Sequence, residues 1–180
     1  MKTNIIGSEI AQSYTSADDQ RSVYDDHWVS YSFTTSSEYT INKIGLLSYK
    51  VGNPGTLTAS IRNSTDSKPT GGDLTSGTYN SNTLTTDSSG EWHYIDLTPY
   101  ELSNGTEYHI VMRCLDGDVS NYLRTRHNDS GGNYGKIVNY SNNSGSDWSF
   151  DTSHQGVYRA YKLSTKGRMS IIGSGKLTLL

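Results

Sequence analysis

The segment that decides the fold is Trp28-Val29-Ser30-Tyr31-Ser32-Phe33, in which Val29, Tyr31 and Phe33 alternate with serines. A period of two residues is that of a β-strand with one face buried. Runs of this kind recur along the chain, while helical periodicity is nearly absent. The other candidate strands are Ile41 to Val51, Leu57 to Ile61, Trp92 to Leu97, Glu107 to Leu115, Asn121 to Arg126, Lys136 to Tyr140 and Val157 to Leu163.

Clusters of turn-forming residues separate these runs. They are Gly52-Asn53-Pro54-Gly55, Lys68-Pro69-Thr70-Gly71-Gly72, Asp87-Ser88-Ser89-Gly90, Asn104-Gly105 and Asp116-Gly117-Asp118. Many short strands without crossover helices predict an antiparallel sandwich or barrel. The polar segment Ser16 to Asp26 has no convincing apolar stripe, and we predict a loop there.

The composition indicates one folded domain. The chain has 180 residues, of which 32% are hydrophobic and 18% charged, with 14 Tyr and 3 Trp. This many aromatic residues and this few charges argue against disorder. The net charge of -3 comes from scattered groups and gives no electrostatic footprint for nucleic acid. The single cysteine, Cys114, excludes an internal disulfide, and we expect it to be a small buried apolar group.

Five segments occur in a fixed order between residues 11 and 163. They are Gln12-Ser13-Tyr14, Lys50-Val51-Gly52-Asn53-Pro54-Gly55, Lys68-Pro69-Thr70-Gly71, Leu102-Ser103-Asn104-Gly105-Thr106-Glu107-Tyr108-His109-Ile110-Val111 and Gly145-Ser146-Asp147-Trp148. Together they resemble a jelly-roll module that recurs in phage and archaeal-virus structural proteins and in secreted microbial surface proteins, akin to carbohydrate-binding modules. The resemblance implies an antiparallel jelly-roll β-sandwich and, less strongly, use on a virion or a cell surface. The chain departs from the module after Asp151, where a longer loop precedes the closing strand.

We predict a sandwich domain over residues 1–163 and an apolar, β-prone extension over residues 164–180. The apolar residues of the extension are Ile171, Ile172, Leu177, Leu179 and Leu180, on either side of Gly173-Ser174-Gly175. Exposed runs of this kind aggregate unless they pair. We therefore interpret the extension as an assembly element that docks on neighbouring structural subunits, in a homo-oligomer. It is too short and too polar to span a membrane, and the first ten residues lack the apolar run of a signal peptide.

Tyrosine outnumbers phenylalanine 14 to 2, which suits half-buried surfaces and surfaces that stack on sugars. The aromatic and arginine residues of the C-terminal half form a candidate binding face for a glycan or a partner. Its residues are Tyr122, Arg124, Arg126, Tyr134, Tyr140 and Trp148. The alternative is that these aromatic side chains pack the edges of the sandwich.

Asp116 and Asp118 offer oxygen ligands of the kind that Ca²⁺ accepts, although we favour a hairpin turn there and expect no cofactor. The five histidines are dispersed, without a partner at metal-ligand spacing. A glycosidase would need a pair of carboxylates, and the candidates have no distinctive motif around them. These candidates are Glu91, Asp96, Glu107, Asp147 and Asp151. We therefore predict a protein that is not an enzyme.

The sequence favours two functions. The first is a viral or phage-like structural protein, a capsid accessory or a tail or spike component, with a face that binds glycan or the host surface. The second is a non-catalytic carbohydrate-binding module of a secreted microbial surface protein. A glycoside hydrolase is a distant third. Either leading function places the protein in a virion or outside the cell.

Overall fold

The computed structural model describes residues 3–130, 138–172 and 176–179, and over these ranges the chain is all-β. In the described ranges the single helical element is a 3-10 turn, Ser81–Thr83, and no helix is long and apolar enough to cross a bilayer. The strands are β1 (Thr3–Tyr14), β2 (Asp19–Val23), β3 (Trp28–Thr34), β4 (Tyr39–Val51), β5 (Thr56–Thr65), β6 (Lys68–Asn80), β7 (Glu91–Leu102), β8 (Glu107–Arg113), β9 (Tyr122–Asn128), β10 (Val138–Ser141), β11 (Ser149–Asp151), β12 (Gln155–Gly156), β13 (Tyr158–Ile172) and β14 (Lys176–Leu179). The all-β prediction is confirmed.

The strands form two antiparallel sheets. The first has the order β1-β13-β4-β9-β12, with β7 paired to β4, β2 paired to β9 and β14 paired to β13. The second has the order β11-β10-β3-β8-β5-β6. One hydrophobic cluster draws its side chains from both sheets, for example Phe33 of the second sheet and Ile44 of the first. The two sheets therefore share one core, as in a β-sandwich.

The alternating apolar residues of β3 face this core. Val29, Tyr31 and Phe33 are buried in it. The Tyr31 hydroxyl lies 2.9 Å from Thr125 Oγ1 and donates to the Arg126 carbonyl at 2.9 Å, both on β9 of the opposite sheet. A tyrosine at this place therefore supplies core volume and joins the two sheets through its hydroxyl.

Strand β12 crosses directly over the Tyr31 ring. A Cβ atom placed on Gly156 would lie 2.0 Å from Tyr31 Cγ, which is far inside van der Waals contact. Glycine is therefore required there for the close approach of the backbone to the ring.

The outer face of the second sheet is also buried, and polar side chains cover much of it. Ser30 Oγ lies 3.2 Å from His109 Nδ1, and His109 Nε2 lies 3.1 Å from Ser64 Oγ. Trp28 and Trp148 pack beside this network. Buried polar groups need hydrogen-bond partners, and this network supplies them for part of the outer face. A sequence rich in serine can therefore form strands that are buried on both faces.

Two local predictions are wrong. The segment Ser16 to Asp26 contains strand β2, which pairs with β9 although only Val23 of its five residues is buried. The segment Lys68 to Gly72 is the start of β6 and not a turn. The turn is Asp66-Ser67, where both φ angles are positive, and Pro69 is tolerated in β6 because β6 is the last strand of its sheet.

Cys114 is a buried free thiol, and burial raises its pKa to about 12, so the prediction of a small buried apolar group is confirmed. A high thiol pKa suppresses the nucleophilic thiolate.

Strand β13 runs through residue 164, the predicted start of the extension. Its pairing with β4 ends at Lys162, while its pairing with β1 continues to Met169 and its last residues pair with β14. Residues 3–8, 163–172 and 176–179 thus form a narrow β-ribbon that continues past the paired part of β4. We call this the terminal ribbon.

Candidate functional site

A groove opens where the edge strand β2 of the first sheet lies beside β3 and β10 of the second. Its larger part has a volume of about 290 Å³ and is lined by residues that include Arg21, Tyr24, Arg124, Tyr140 and Asn142. A smaller part of about 190 Å³ shares Tyr140 and Asn142 with it. The shared residues make the two parts neighbours, and we call them together the groove.

Strand pairing positions the residues of the groove. On one wall, Ser22 of β2 lies opposite Arg124 of β9. On the other wall, Tyr140 of β10 lies opposite Val29 of β3. Both walls are therefore held by regular ladders, a rigid support of the kind that binding sites need.

Two arginines of the larger part stack on tyrosine rings. The Arg21 Cζ atom lies 4.4 Å from the centroid of Tyr140, and the Arg124 Cζ atom lies 5.2 Å from the centroid of Tyr122. Within the described ranges, Arg21 Nε is buried without a hydrogen-bond partner. The lining of the larger part contains these two arginines and no aspartate or glutamate in the part of the chain that the structure describes. The larger part is therefore cationic.

An aromatic platform borders the same part. The Tyr24 and His27 rings are stacked with their centroids 4.3 Å apart, and the Tyr24 and Tyr122 centroids are 6.2 Å apart. The backbone bridge between Tyr24 and His27 holds the stack, and His27 Nδ1 lies 2.7 Å from Asp26 Oδ1. Ring faces next to amide and hydroxyl groups can contact both the apolar and the polar sides of a ligand.

The smaller part has a different polarity. It is lined by Asn143, Asp147 and Ser149 besides the shared residues, and the described lining contains no arginine or lysine. The Asp147 carboxylate accepts a hydrogen bond from Asn143 Nδ2 at 2.9 Å. The groove thus runs from a cationic end at Arg21 to an anionic end at Asp147.

The structure brings some of the predicted binding residues together. Arg124 and Tyr140 line the groove and Tyr122 supports Arg124, while Arg126 donates to Gln20 Oε1 at 2.6 Å at its margin. Tyr134 lies outside the described residues.

Trp148 does not belong to the binding face. It is 7% exposed and packs with Trp28 and Val111. Its ring is therefore part of the protein interior and is not free to stack on a ligand. For Trp148, this placement agrees with the alternative that the aromatic side chains pack within the sandwich.

The groove also contains residues that the sequence did not indicate, above all Arg21, Tyr24 and Asn142. Arg21 and Tyr24 lie in the segment Ser16 to Asp26, for which the sequence predicts a loop. Their contribution depends on the pairing of β2 with β9, a contact between residues far apart in the chain.

The candidate calcium ligands take part in turns. The Asp118 carboxylate accepts from the backbone N–H groups of Ser120 at 2.7 Å and Asn121 at 2.9 Å, and these bonds hold its pKa below the usual range. Asp116 Oδ2 accepts from the Thr56 N–H at 3.3 Å. Within the described ranges, no group of three His, Cys, Asp or Glu side chains is placed to hold a metal ion.

Two of the five candidate acids, Glu91 and Asp96, lie on β7, and the other three lie on β8, on β11 and in the segment between β10 and β11. Asp96 pairs with Lys43 at 3.2 Å, and Glu91 accepts from the Thr85 N–H at 2.8 Å. Of the five, Asp147 alone lines the described part of the groove. The groove therefore presents one carboxylate where glycosidase chemistry uses two.

A comparison with protein-family models and with curated protein sequences found no match to this chain.

Proposed function

We propose that this chain is a non-catalytic, jelly-roll β-sandwich that binds a glycan in the groove between β2 and β10. The observation that carries the proposal is the combination of ring faces, from Tyr24 and Tyr140, with the amides of Asn142 and Asn143 in one open groove. Sugars present an apolar ring face and a rim of hydroxyl groups, which such a surface matches. The volume of the larger part, about 290 Å³, lies at the lower end of ligand pockets and suits a short oligosaccharide.

Replacing Tyr140 by Ala should weaken glycan binding about tenfold, because the ring lines both parts of the groove and supports Arg21. The protein is first screened on a glycan array, and the affinity for the best oligosaccharide is then measured by isothermal titration calorimetry. The recovered oligosaccharide should be intact.

The matched control is Tyr94→Ala. Tyr94 is 42% exposed and lies on β7, outside the groove lining. Failure of the unaltered chain to bind any glycan would contradict the proposal, as would equal losses in the two variants or hydrolysis that Asp147→Asn abolishes.

The terminal ribbon favours a second role, as a structural subunit of a virion or of an extracellular assembly. Beyond Lys162 the ribbon pairs only within itself, through β1, β13 and β14, in the part of the chain that the structure describes. A narrow ribbon of this kind is marginally stable in water and is stabilised when a neighbouring chain adds to its edge. In this role the sandwich presents the groove, and the ribbon attaches it to neighbouring subunits.

Deletion of residues 166–180 should abolish oligomer formation and leave the melting temperature nearly unchanged. The pairing of β13 with β4, which holds the sandwich, ends at Lys162 and survives the deletion. Size-exclusion chromatography with light scattering gives the mass, and circular dichroism gives the melt. An unfolded truncated chain, or one with the mass of the full-length oligomer, would exclude this role.

A further inference from the structure

The larger part of the groove holds two arginines, Arg21 and Arg124, and the Asp151 carboxylate interacts electrostatically with Arg21 without forming a salt bridge. Within the described ranges, neither the Arg21 nor the Arg124 guanidinium forms a salt bridge, and each is stacked on a tyrosine. Other arginines of the sheets are paired: Arg62 and Arg113 both bind the Asp73 carboxylate. In the part of the chain that the structure describes, Arg126 and Arg159 also form no salt bridge, but they donate to Gln20 Oε1 and to the Tyr94 hydroxyl. Arg21 and Arg124 share one lining and, in the described ranges, form neither a salt bridge nor such a hydrogen bond.

Each guanidinium lies over the face of a tyrosine ring, a contact that uses none of its N–H donors. An arginine has five N–H donors in a planar fork that matches a carboxylate or another oxyanion. Arg21 Nε is itself buried without a partner in the described ranges, so the terminal nitrogens of Arg21 are the donors that a ligand in the groove would meet. In a chain of net charge -3, a lining with two arginines and no acid in its described part concentrates positive charge at one place.

We propose that the groove selects an acidic saccharide, whose carboxylate or sulfate group binds Arg21 and Arg124. The opposite end, where Asp147 lies, repels a second acidic group and accepts hydrogen bonds from neutral hydroxyls. The preferred ligand is therefore an acidic sugar linked to neutral sugars, and a polymer with an acid on every unit binds less well. This inference rests on the proposed glycan-binding function.

The phosphates of a nucleic acid are the competing source of negative charge. A nucleic-acid site neutralises several phosphates along a basic track. Here the cationic part is short and is followed by a part with Asp147 and no described cation. The observations therefore favour a saccharide.

The test uses the full chain and three matched pairs of probes: 3′-sialyllactose with lactose, glucuronyl-xylotriose with xylotriose, and 3′-sulfated lactose with lactose. Oligogalacturonate serves as the fully acidic probe and oligo-dT as the nucleic acid. Calorimetry should show at least one acidic member binding at least tenfold more tightly than its neutral partner and more tightly than oligogalacturonate. The first two pairs report a carboxylate and the third a sulfate.

In Arg21→Gln and in the double variant with Arg124→Gln, the ratio of the affinities for the acidic and the neutral probe should fall close to one. Weak binding of the neutral probe should remain. Arg21→Lys should recover only part of the preference, because an ammonium lacks the planar fork. Arg159→Gln is the matched control, since Arg159 also stacks on a ring, Trp92, at 3.9 Å, but lies outside the groove lining. Thermal melts check that each variant is folded.

Equal binding of acidic and neutral probes, or a preference that survives in the folded double variant, would overturn the inference and leave the glycan-binding function standing. If the unaltered chain binds none of the saccharides, both fail. Arginine-dependent binding of oligo-dT that is tighter than any saccharide would assign the groove to nucleic acid and overturn the inference.

Discussion

Replacing Tyr31 by Ala is expected to lower the free energy of unfolding by about 3–5 kcal/mol, the range for large aromatic side chains in cores. Tyr31 is fully buried, and its hydroxyl bonds Thr125 and the Arg126 carbonyl of the opposite sheet. The variant leaves a cavity beneath Gly156 and removes a link between the sheets. Urea denaturation followed by fluorescence measures the change.

Tyr31→Phe separates the two contributions. It keeps the ring and removes the hydroxyl, and we expect a loss of about 1–2 kcal/mol because the Thr125 hydroxyl loses a buried partner. Tyr94→Ala, at an exposed position, should cost much less than Tyr31→Ala. A loss for Tyr31→Ala no larger than that for Tyr94→Ala would show that the sheets do not pack around Tyr31 as described.

Acidification should destabilise the protein strongly between pH 6.5 and about pH 4. Burial lowers the pKa of His93 to about 4, that of His109 to about 3 and that of His127 to about 4. In the unfolded chain these histidines titrate near pH 6.5, so between the two values the unfolded state binds more protons and stability falls as the pH falls. For His93 and His109 together the loss over this window is on the order of 6 kcal/mol.

Carboxylates affect the stability of the protein at lower pH than the histidines do. Hydrogen bonds from Arg113 and Arg62 hold the pKa of Asp73 below its usual range in spite of its burial, so its stabilising contribution is lost only as the pH falls below about 4. Chemical denaturation at a series of pH values gives the profile. His93→Phe, which keeps a ring against Tyr79, should reduce the slope between pH 6.5 and 4.5 by about 1.4 kcal/mol per pH unit. A profile that is flat over this window would contradict the burial of these histidines.

The sequence predicted the strands whose side chains alternate clearly. β3 and β8 are examples, because every second residue of each faces the core between the sheets. Strand β2 was missed because only Val23 is buried, so its existence depends on the ladder with β9 and not on local alternation. Alternation of apolar and polar residues reveals a strand only when one face of the strand is buried, and β2 has no such face.

The candidate site was predictable only in part for the same reason. Arg124 and Tyr140 were identified as residue types that suit recognition, and both line the groove. Arg21 was not identified, because its stacking on Tyr140 joins two distant parts of the chain. Trp148 was assigned to the surface although it is buried, because composition alone does not tell an exposed aromatic ring from a packed one.

The excess of tyrosine over phenylalanine has a further explanation in the core. Tyr31 is fully buried, and burial raises its pKa, so the hydroxyl stays protonated at physiological pH and joins the sheets by hydrogen bonds. Part of the tyrosine content is therefore structural. Two further tyrosines, Tyr24 and Tyr140, line the groove, and we propose that they serve recognition.

Nuclear magnetic resonance can locate the glycan site that we propose in the groove between β2 and β10. Uniformly ¹⁵N-labelled protein is titrated with the oligosaccharide that binds best in the array. We expect saturable shifts of the backbone amide signals of four groove residues, Arg21, Ser22, Tyr140 and Asn142. The signals of the distant turn at Asn104 and Gly105 should not change. Shifts that are largest outside the groove, or none that saturate, would contradict it.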